Sequence, residues 1–177
     1  GRTSASRLAD SERLARWAQG AGVAVDPAEL SLIALLIGRP PAAIAGCLDR
    51  LALTGEPRDR IEAAVQAGPL ARRLEVRGLP PSAIDRLLGA VPPPALLGGW
   101  LRAGARGRRR IQWYLARGRA VRPRLSGEDL LGLGVPRGPR VGVTLDRLRR
   151  LRLDGALGSV AEERELVKEW LTSGKEA

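Results

Sequence analysis

The sequence predicts an all-α fold of about ten short helices joined by proline and glycine turns, and three observations support this prediction. Leucine and alanine dominate the apolar residues while β-branched residues are sparse, which favours helix over strand. Apolar residues recur at helical spacing, and the alternation typical of a half-buried strand is missing. Prolines and short polar residues precede most of the apolar stretches, as they do at helix starts.

The first half of the chain shows these start signals in order. A first helix covers residues 7–20 and stops at a glycine. Asp26-Pro27 opens the second helix as an acidic cap followed by proline at the first helical position. Pro40-Pro41 opens the third, and the apolar spacing over residues 58–74 predicts one continuous helix.

Capping pairs mark two helices in the second half. Pro80-Pro81 opens a helix in which Ser82 and Asp85 have the spacing of a capping box. Ser159 and Glu162 have the same spacing ahead of the last helix. We expect each pair to hold the first turn of its helix by reciprocal hydrogen bonds.

The triple proline at 92–94 is the predicted boundary between two segments. Residues 1–91 form a helical N-terminal segment. Residues 92–177 form an arginine-rich helical segment that contains a Gly-Pro hairpin.

Basic residues are concentrated in one interval of the chain. Lysine and arginine together number 30 and acidic residues 19, which leaves a net charge of +11. Between Asp85 and Glu128 there is no carboxylate, yet the interval contains ten arginines: Arg86, Arg102, Arg106, Arg108, Arg109, Arg110, Arg117, Arg119, Arg122 and Arg124. A GC-rich genome would account for the preference for arginine over lysine, but not for the absence of acids here. Because a concentrated cationic field usually faces a polyanion, nucleic acid is the leading partner.

One predicted helix, residues 106–118, carries a basic face. At about 100° per residue, one side of it collects Arg106, Arg109, Arg110, Trp113 and Arg117. Apolar residues fall on the other side, so that side can pack while the arginines stay in water. Guanidinium groups grip phosphates, and Trp113 offers a flat surface on which a base can stack. The alternative is that Trp113 packs against a neighbouring helix and the arginines form only a solvated face.

A glycine-proline hairpin follows in the stretch SGEDLLGLGVPRGPRVG. Ser126 is a good cap for the helix that precedes the hairpin. Backbone N–H groups at the start of the next helix, flanked by arginines, are candidates for phosphate binding. The glycines would equally suit a plain corner between two helices. The candidate RNA-binding residues outside the first basic helix are therefore Arg122, Arg124, Arg137, Gly138, Arg140 and Gly142.

No constellation of residues predicts catalysis. There is no histidine, and the single Cys47 lies in an apolar run, where we expect a small core residue. Gly98-Gly99 with Arg102 resembles a nucleotide-cradling turn, but that turn requires a preceding strand and a nearby Asp-x-Asp pair for metal ions. Prolines precede it here. We therefore expect no catalytic residue, no metal site and no cofactor in this chain.

The composition also indicates a compartment. A single cysteine allows no disulfide within one chain, which fits a reducing compartment, the cytoplasm. No apolar stretch approaches the roughly 18 residues of a membrane span. The chain begins GRTSAS without an initiator methionine, so we interpret it as a fragment of a longer protein.

A family resemblance lies in the last part of the chain, over RRRIQWYLARGRAVRPRLSGEDLLGLGVPRGPRVGVTLDRLRRLRLDG and the following SVAEERELVKEWL. A Leu-x-Gly-x-Asp-Leu corner is followed by Leu-Gly, Gly-Pro-x-Val-Gly and Leu-Asp-Gly before a Glu-rich helix. In this order the elements resemble the C-terminal body and tail of the bacterial tRNA nucleotidyltransferase / poly(A) polymerase family. The class II CCA-adding or A-adding enzymes with extra domains are the most similar. The N-terminal part matches more loosely, as helical neck and body.

The resemblance implies a role in holding RNA. In that family a catalytic head adds CMP and AMP, or AMP alone, to the 3′ end of tRNA, using CTP or ATP and Mg²⁺. This sequence has no counterpart of the head, so Mg²⁺ and ATP/CTP belong to a part of the parent protein outside it. The implied partners are tRNA or another RNA, and the catalytic head in the same parent chain.

Two other functions stay open from the residues alone. One is a stand-alone helical DNA-binding or nucleoid-type protein that uses the same hairpin and arginines. The other is a non-catalytic interaction scaffold whose charge reflects genome composition. The order of the family motifs favours the tRNA-holding function over both.

Overall fold

The computed structural model describes residues 3–173, and within that range it contains helices and no strand, which confirms the all-α prediction. The helices are α1 (Ser4–Gly20), α2 (Pro27–Leu36), α3 (Pro41–Arg50), α4 (Gly55–Val65), α5 (Gly68–Arg73), α6 (Pro81–Gly89), α7 (Pro93–Arg102), α8 (Ala105–Ala116), α9 (Gly127–Gly132), α10 (Pro139–Leu153) and α11 (Val160–Thr172), with a 3₁₀ turn at Gly118–Ala120. No helix in these residues is long and apolar enough to cross a membrane.

Several helix starts are formed by the residues that the sequence indicates. The side chain of Asp26 accepts hydrogen bonds from the amides of Ala28 and Glu29 at the start of α2. Ser159 and Glu162 form a complete capping box at the start of α11, as predicted. Ser126 caps α9, and its reciprocal partner is Asp129. These local signals set helix starts because a proline or a short acceptor satisfies the geometry of the first turn.

The stretch predicted as one helix over residues 58–74 is two helices, α4 and α5. Pro69 has no N–H, so a continuous helix would leave the carbonyl of Val65 without its partner four residues later. The chain turns at Gln66 and Ala67 instead, and Gly68 begins α5. The guanidinium of Arg102 donates to the Val65 carbonyl at 3.2 Å and satisfies it.

The capping box expected from Ser82 and Asp85 does not form. The amide and hydroxyl of Ser82 donate to the two carboxylate oxygens of Asp154 at 2.8 and 2.6 Å. Asp85 accepts from the guanidinium of Arg149 at 2.7 Å. Both side chains therefore have partners far along the sequence, and these replace the local pair.

The chain folds as two compact units. The first comprises residues 1–79 and 86–116, and the second comprises residues 80–85 and 117–177. The prolines at 92–94 open α7 inside the first unit.

In the first unit, α7 packs closely on α4 through glycine. A Cβ placed on Gly98 would lie 2.0 Å from the carbonyl oxygen of Ala64, so only glycine fits at this crossing. Buried leucines and isoleucines fill the space around the two helices, among them Leu30, Ile33, Leu74, Leu96, Leu101 and Ile111. Their burial supplies the main stabilisation of this unit.

The core of the second unit lies among α9, α10 and α11. It consists of Leu125, Leu130, Val135, Leu148, Val167 and Trp170. The guanidinium carbon of Arg147 stands 3.8 Å from the centroid of the Trp170 ring. A cation over the indole face at this distance stabilises the edge of the core.

Candidate nucleic-acid interface

The side of α8 that is buried in the protein is the apolar side predicted from the sequence. Ile111 and Leu115 are buried, and so is Gly118 just after the helix. Arg108 also turns inward, where it pairs with the fully buried Asp10. Its guanidinium carbon lies 4.0 Å from the centroid of the Trp100 ring. Arg108 is therefore a structural residue that anchors α8 in the first unit.

Arg106 and Arg110 of α8 bind the backbone where α5 ends. Nη1 of Arg106 donates to the carbonyl of Glu75 at 2.9 Å. Nη1 of Arg110 donates to the carbonyls of Leu74 and Val76, both at 2.7 Å. These three carbonyls lie in the turn that follows α5, where no helical amide serves them, so the guanidinium groups supply their donors. Some of the N–H donors of these two arginines are therefore occupied by the protein's own backbone and are not available to a ligand.

The side chain of Glu75, in the turn after α5, in return accepts a hydrogen bond from the backbone of α8. Its Oε1 accepts a hydrogen bond from the amide of Gly107, in the first turn of α8, at 2.9 Å. A Cβ on Gly107 would lie 2.7 Å from the same oxygen, so glycine makes room for the carboxylate. The start of α8 thus receives a carboxylate, which suits the helix dipole, while guanidinium groups from α8 hold the turn that follows α5.

These connections bring together two groups of arginines that are about thirty residues apart in sequence. Three exposed arginines, Arg72, Arg73 and Arg77, flank the carbonyls that Arg106 and Arg110 hold. Arg109 is exposed on the next turn of the same helix. We call this set the α5–α8 arginine cluster: Arg72, Arg73, Arg77, Arg106, Arg109 and Arg110. The only carboxylate within residues 71–77 and 103–110 is that of Glu75.

Sequence reasoning missed three members of this cluster. Arg72, Arg73 and Arg77 lie outside the acid-free interval, in the stretch RRLEVR. The signal that would have found them is local: three of these six residues are arginine and only one is acidic. Only the fold places this stretch beside α8, through the hydrogen bonds of Arg110 to Leu74 and Val76.

Trp113 lies on α8 one turn beyond the exposed Arg109, and it is half-buried. Residues four apart in a helix are neighbours on its surface. Most of the surface of Trp113 is covered by the protein, and the exposed remainder lies one helical turn from Arg109.

In the second unit, exposed arginines crowd the segment that follows α8. We call residues 117–124 the arginine loop. Arg122 donates to the carbonyls of Arg119 and Val121 at 2.7 and 2.9 Å, so it braces the loop. Arg117, Arg119 and Arg124 are exposed, and their side chains make no hydrogen bond or ion pair with the residues that the structure describes.

The hairpin residues singled out by the sequence are all at the surface: Arg137, Gly138, Arg140 and Gly142. Gly138 is the N-cap of α10 and has a φ of 119°, a backbone conformation that favours glycine. No side chain caps this helix start. Pro139 has no N–H, and the amide of Val141 donates to the carbonyl of Gly138 at 3.2 Å. Of the first three residues of α10, only Arg140 therefore has an amide without a backbone or side-chain acceptor among the described residues.

The arginines of both units can bind phosphate in the same way. A guanidinium group presents planar, paired N–H donors that match two phosphate oxygens, and it stays charged at every physiological pH. In the α5–α8 arginine cluster, the arginine loop and the hairpin, the groups available to an external anion are the exposed arginines whose side chains have no partner among the described residues: Arg72, Arg73, Arg77, Arg109, Arg117, Arg119, Arg124, Arg137 and Arg140.

Comparisons with known proteins give no further guide: no family model matches the chain, and no curated protein or solved structure matches it either.

Proposed function

We propose that this chain binds RNA, and that it holds tRNA for nucleotide addition at the 3′ end by a catalytic head elsewhere in the parent protein. The observation that carries the proposal is the α5–α8 arginine cluster. It presents six arginines against one carboxylate, and that carboxylate is bound to the start of α8. The same carboxylate lies 3.9 Å from Nη1 of Arg106, and residues 71–77 and 103–110 contain no second acid to pair with the other arginines.

Phosphate suits the cluster better than the carboxylates of a protein partner. A nucleic acid offers phosphates at regular, close spacing, and each contact releases condensed counterions. An array of fixed arginines gains from that spacing, whereas scattered acidic side chains of a protein would meet only some of them. Two members, Arg106 and Arg110, are held by backbone carbonyls and so are oriented before any ligand arrives.

Two observations favour RNA over duplex DNA. Trp113 is partly exposed one helical turn from Arg109, and an exposed aromatic surface suits unstacked bases, which RNA presents in loops and ends. The second is the motif order from the Leu-x-Gly-x-Asp-Leu corner to the Glu-rich helix, which resembles the tRNA nucleotidyltransferase / poly(A) polymerase family. On this proposal the chain transfers no nucleotide by itself, and Mg²⁺ with ATP or CTP acts in the head.

A pair of triple variants tests the proposal. The first replaces three unpartnered members of the cluster, Arg73, Arg77 and Arg109, by glutamine. The matched control replaces Arg16, Arg39 and Arg50, which are exposed in the same unit, and so removes the same charge. Affinity for tRNA is measured as a function of salt. We expect the cluster variant to flatten the slope of log K against log salt by up to about three contacts' worth, and the control to change it little.

Competition then identifies the nucleic acid. At about 0.15 M salt, where surface charges are largely screened, we expect folded tRNA to displace labelled tRNA better than a DNA duplex with the same number of phosphates. Equal displacement would favour a general DNA- or polyanion-binding protein. Equal effects of the two triple variants would show that the cluster is only a solvated surface.

A further inference from the structure

A fully buried carboxylate stands behind the arginine loop of the second unit. Glu163 of α11 has no exposed surface. Its Oε2 accepts hydrogen bonds from the amides of Arg124 and Leu125, each at 2.9 Å. Its Oε1 accepts from Nη1 of Arg152 at 3.0 Å. The carboxylate thus joins the last residue of the loop to α10 and α11.

Stability alone does not explain this arrangement. Burying an ion pair costs solvation of both charges, and well-packed apolar residues in its place are often equally or more stable. Here Nε of Arg152 is also buried without a hydrogen-bond partner, so the pair is not fully satisfied. What the carboxylate does specifically is fix the backbone of residues 124 and 125, which have no helical partners of their own.

Hydrogen bonds to backbone carbonyls hold the rest of the loop. Nε of Arg149 donates to the carbonyl of Val121 at 3.0 Å, while its Nη2 donates to Asp85 at 2.7 Å. Two backbone bonds close the turn at Gly118–Ala120, from Ala120 to Arg117 and from Val121 to Gly118. The loop backbone is therefore held near its start, its middle and its end.

The free side chains of the loop all face solvent. Arg117, Arg119 and Arg124 are exposed and have no acidic partner, while the backbone between them is held. A ligand that binds such a loop does not have to order it first, so less of the interaction free energy is lost on binding. Groups that bind a ligand are commonly supported in this way by buried hydrogen bonds behind them.

We propose that the arginine loop is a preformed clamp for the sugar-phosphate backbone of RNA, and that Glu163 is the residue that positions it. This inference rests on the proposed function, because the ligand is the same class of molecule. It adds a second surface, in the second unit, and it assigns a role to a buried residue that touches no ligand.

The sign of one substitution separates positioning from simple electrostatics. Glu163→Gln removes a negative charge behind a phosphate-binding loop, so electrostatics alone would strengthen RNA binding. Positioning predicts the reverse, because glutamine has one acceptor oxygen where the carboxylate has two. Its NH2 group must face either the two loop amides or the guanidinium of Arg152, all of which are donors, so the link between the loop and α10 is broken. We expect the variant to bind tRNA about three- to tenfold more weakly, with an unchanged salt slope. The control is Glu165→Gln, an exposed residue of the same helix, which should bind as tightly as the parent or slightly more tightly.

The arginines themselves should behave differently. Replacing Arg117, Arg119 and Arg124 together by glutamine should lower both the affinity and the salt slope, by up to about three contacts' worth. An unchanged slope in this triple variant would overturn the clamp. So would a Glu163→Gln protein that is folded and binds tRNA as tightly as the control.

A measurement on the unmodified chain decides the matter even where Glu163→Gln does not fold. Backbone amide resonances of residues 117–125 are followed as tRNA is added, and exchange of the Arg124 and Leu125 amides is measured without RNA. We expect slow exchange before binding, and shifts across residues 117–124 on binding. Binding of tRNA without shifts in this segment overturns the clamp and leaves the proposed function standing. No binding of tRNA by the unmodified chain overturns both.

Discussion

Arg102 of α7 donates a hydrogen bond to the carbonyl of Val65, the group that Pro69 cannot serve. The space for the guanidinium comes from Gly68, since a Cβ there would lie 3.0 Å from Nη2 of Arg102. Gly68 and Pro69 thus separate α4 from α5. Arg102, 37 residues from Val65 in the sequence, supplies the donor that the separation would otherwise leave missing. The turn between these helices positions α5, and with it half of the α5–α8 arginine cluster.

Removing this arginine should destabilise the first unit. Arg102→Gln leaves the partly buried Val65 carbonyl without its donor, so we expect a loss of about 1–2 kcal/mol in the free energy of unfolding. Arg16→Gln, at an exposed position in the same unit, is the control and should change it by less than about 0.5 kcal/mol. Denaturant titration of the three proteins gives both values. Equal stability of the two variants would mean that water replaces the guanidinium at no cost.

The crossing of α4 and α7 should not tolerate a methyl group. Gly98→Ala would place a carbon 2.0 Å from a backbone oxygen, and backbone cannot rotate away as a side chain can. We expect a loss of at least about 3 kcal/mol, or failure to fold. Gly46→Ala in α3 is the matched control, because its Cβ would meet only the end of the Arg50 side chain at 3.8 Å. That change should stabilise the protein by up to about 1 kcal/mol, because alanine is the better helix former. A thermal melt of each variant distinguishes the two signs.

Glu75 should affect stability and RNA binding in opposite directions. Glu75→Gln weakens the charge at the start of α8, so we expect a loss of about 0.5–1 kcal/mol in the free energy of unfolding. The same change removes the one negative charge of the α5–α8 arginine cluster, so affinity for tRNA should rise. Glu12→Gln, an exposed carboxylate of α1, makes the same charge change elsewhere. An equal gain in affinity from both variants would show that only net charge matters.

Acid should destabilise the second unit in part through its capping boxes. The amides of Gly158 and Ser159 hold the pKa of Glu162 below its ordinary value of 4.5, and the hydroxyl of Ser126 lowers the pKa of Asp129 below 3.8. A carboxyl group with a lowered pKa in the folded state contributes stability above its unfolded pKa and loses it as the pH falls through the folded value. Melting temperatures from pH 6 down to pH 3 should therefore fall less steeply in Glu162→Gln than in the parent. Glu165→Gln serves as the control, and the prediction fails if both variants follow the parent curve in parallel.

The starts of α2 and α11 were predictable because their causes are local. Pro27 after Asp26, and Ser159 before Glu162, act within one turn of backbone, so a few letters of sequence suffice. The inward side of α8 was predictable for a similar reason, because the spacing of Ile111 and Leu115 sets it. Ser82 shows the limit of this reasoning, since its spacing to Asp85 suggests a capping box while the carboxylate that it meets belongs to Asp154.

The sequence identified arginine as the chemical group of the candidate site, but it identified only some of the arginines that form the site. The interval without carboxylates and the helical spacing within it predicted Arg109 and Arg117 as binding residues, and both are exposed. They pointed equally to Arg106 and Arg110, which hold backbone carbonyls, and they missed Arg72 and its neighbours. The acceptors of Arg106 and Arg110 lie more than thirty residues away in the sequence, so the spacing of the arginines does not predict these hydrogen bonds.

By itself, the sequence determined the helical class, the starts of helices with local caps such as α2 and α11, and the excess of arginine from which we propose an anionic partner. These depend on propensity, on capping within one turn and on summed charge, all of which are read along the chain. Only the tertiary structure decided which arginines are free, where Glu163 is buried and why position 98 must be glycine. These depend on contacts between residues distant in sequence, whose partners exist only once the helices have packed.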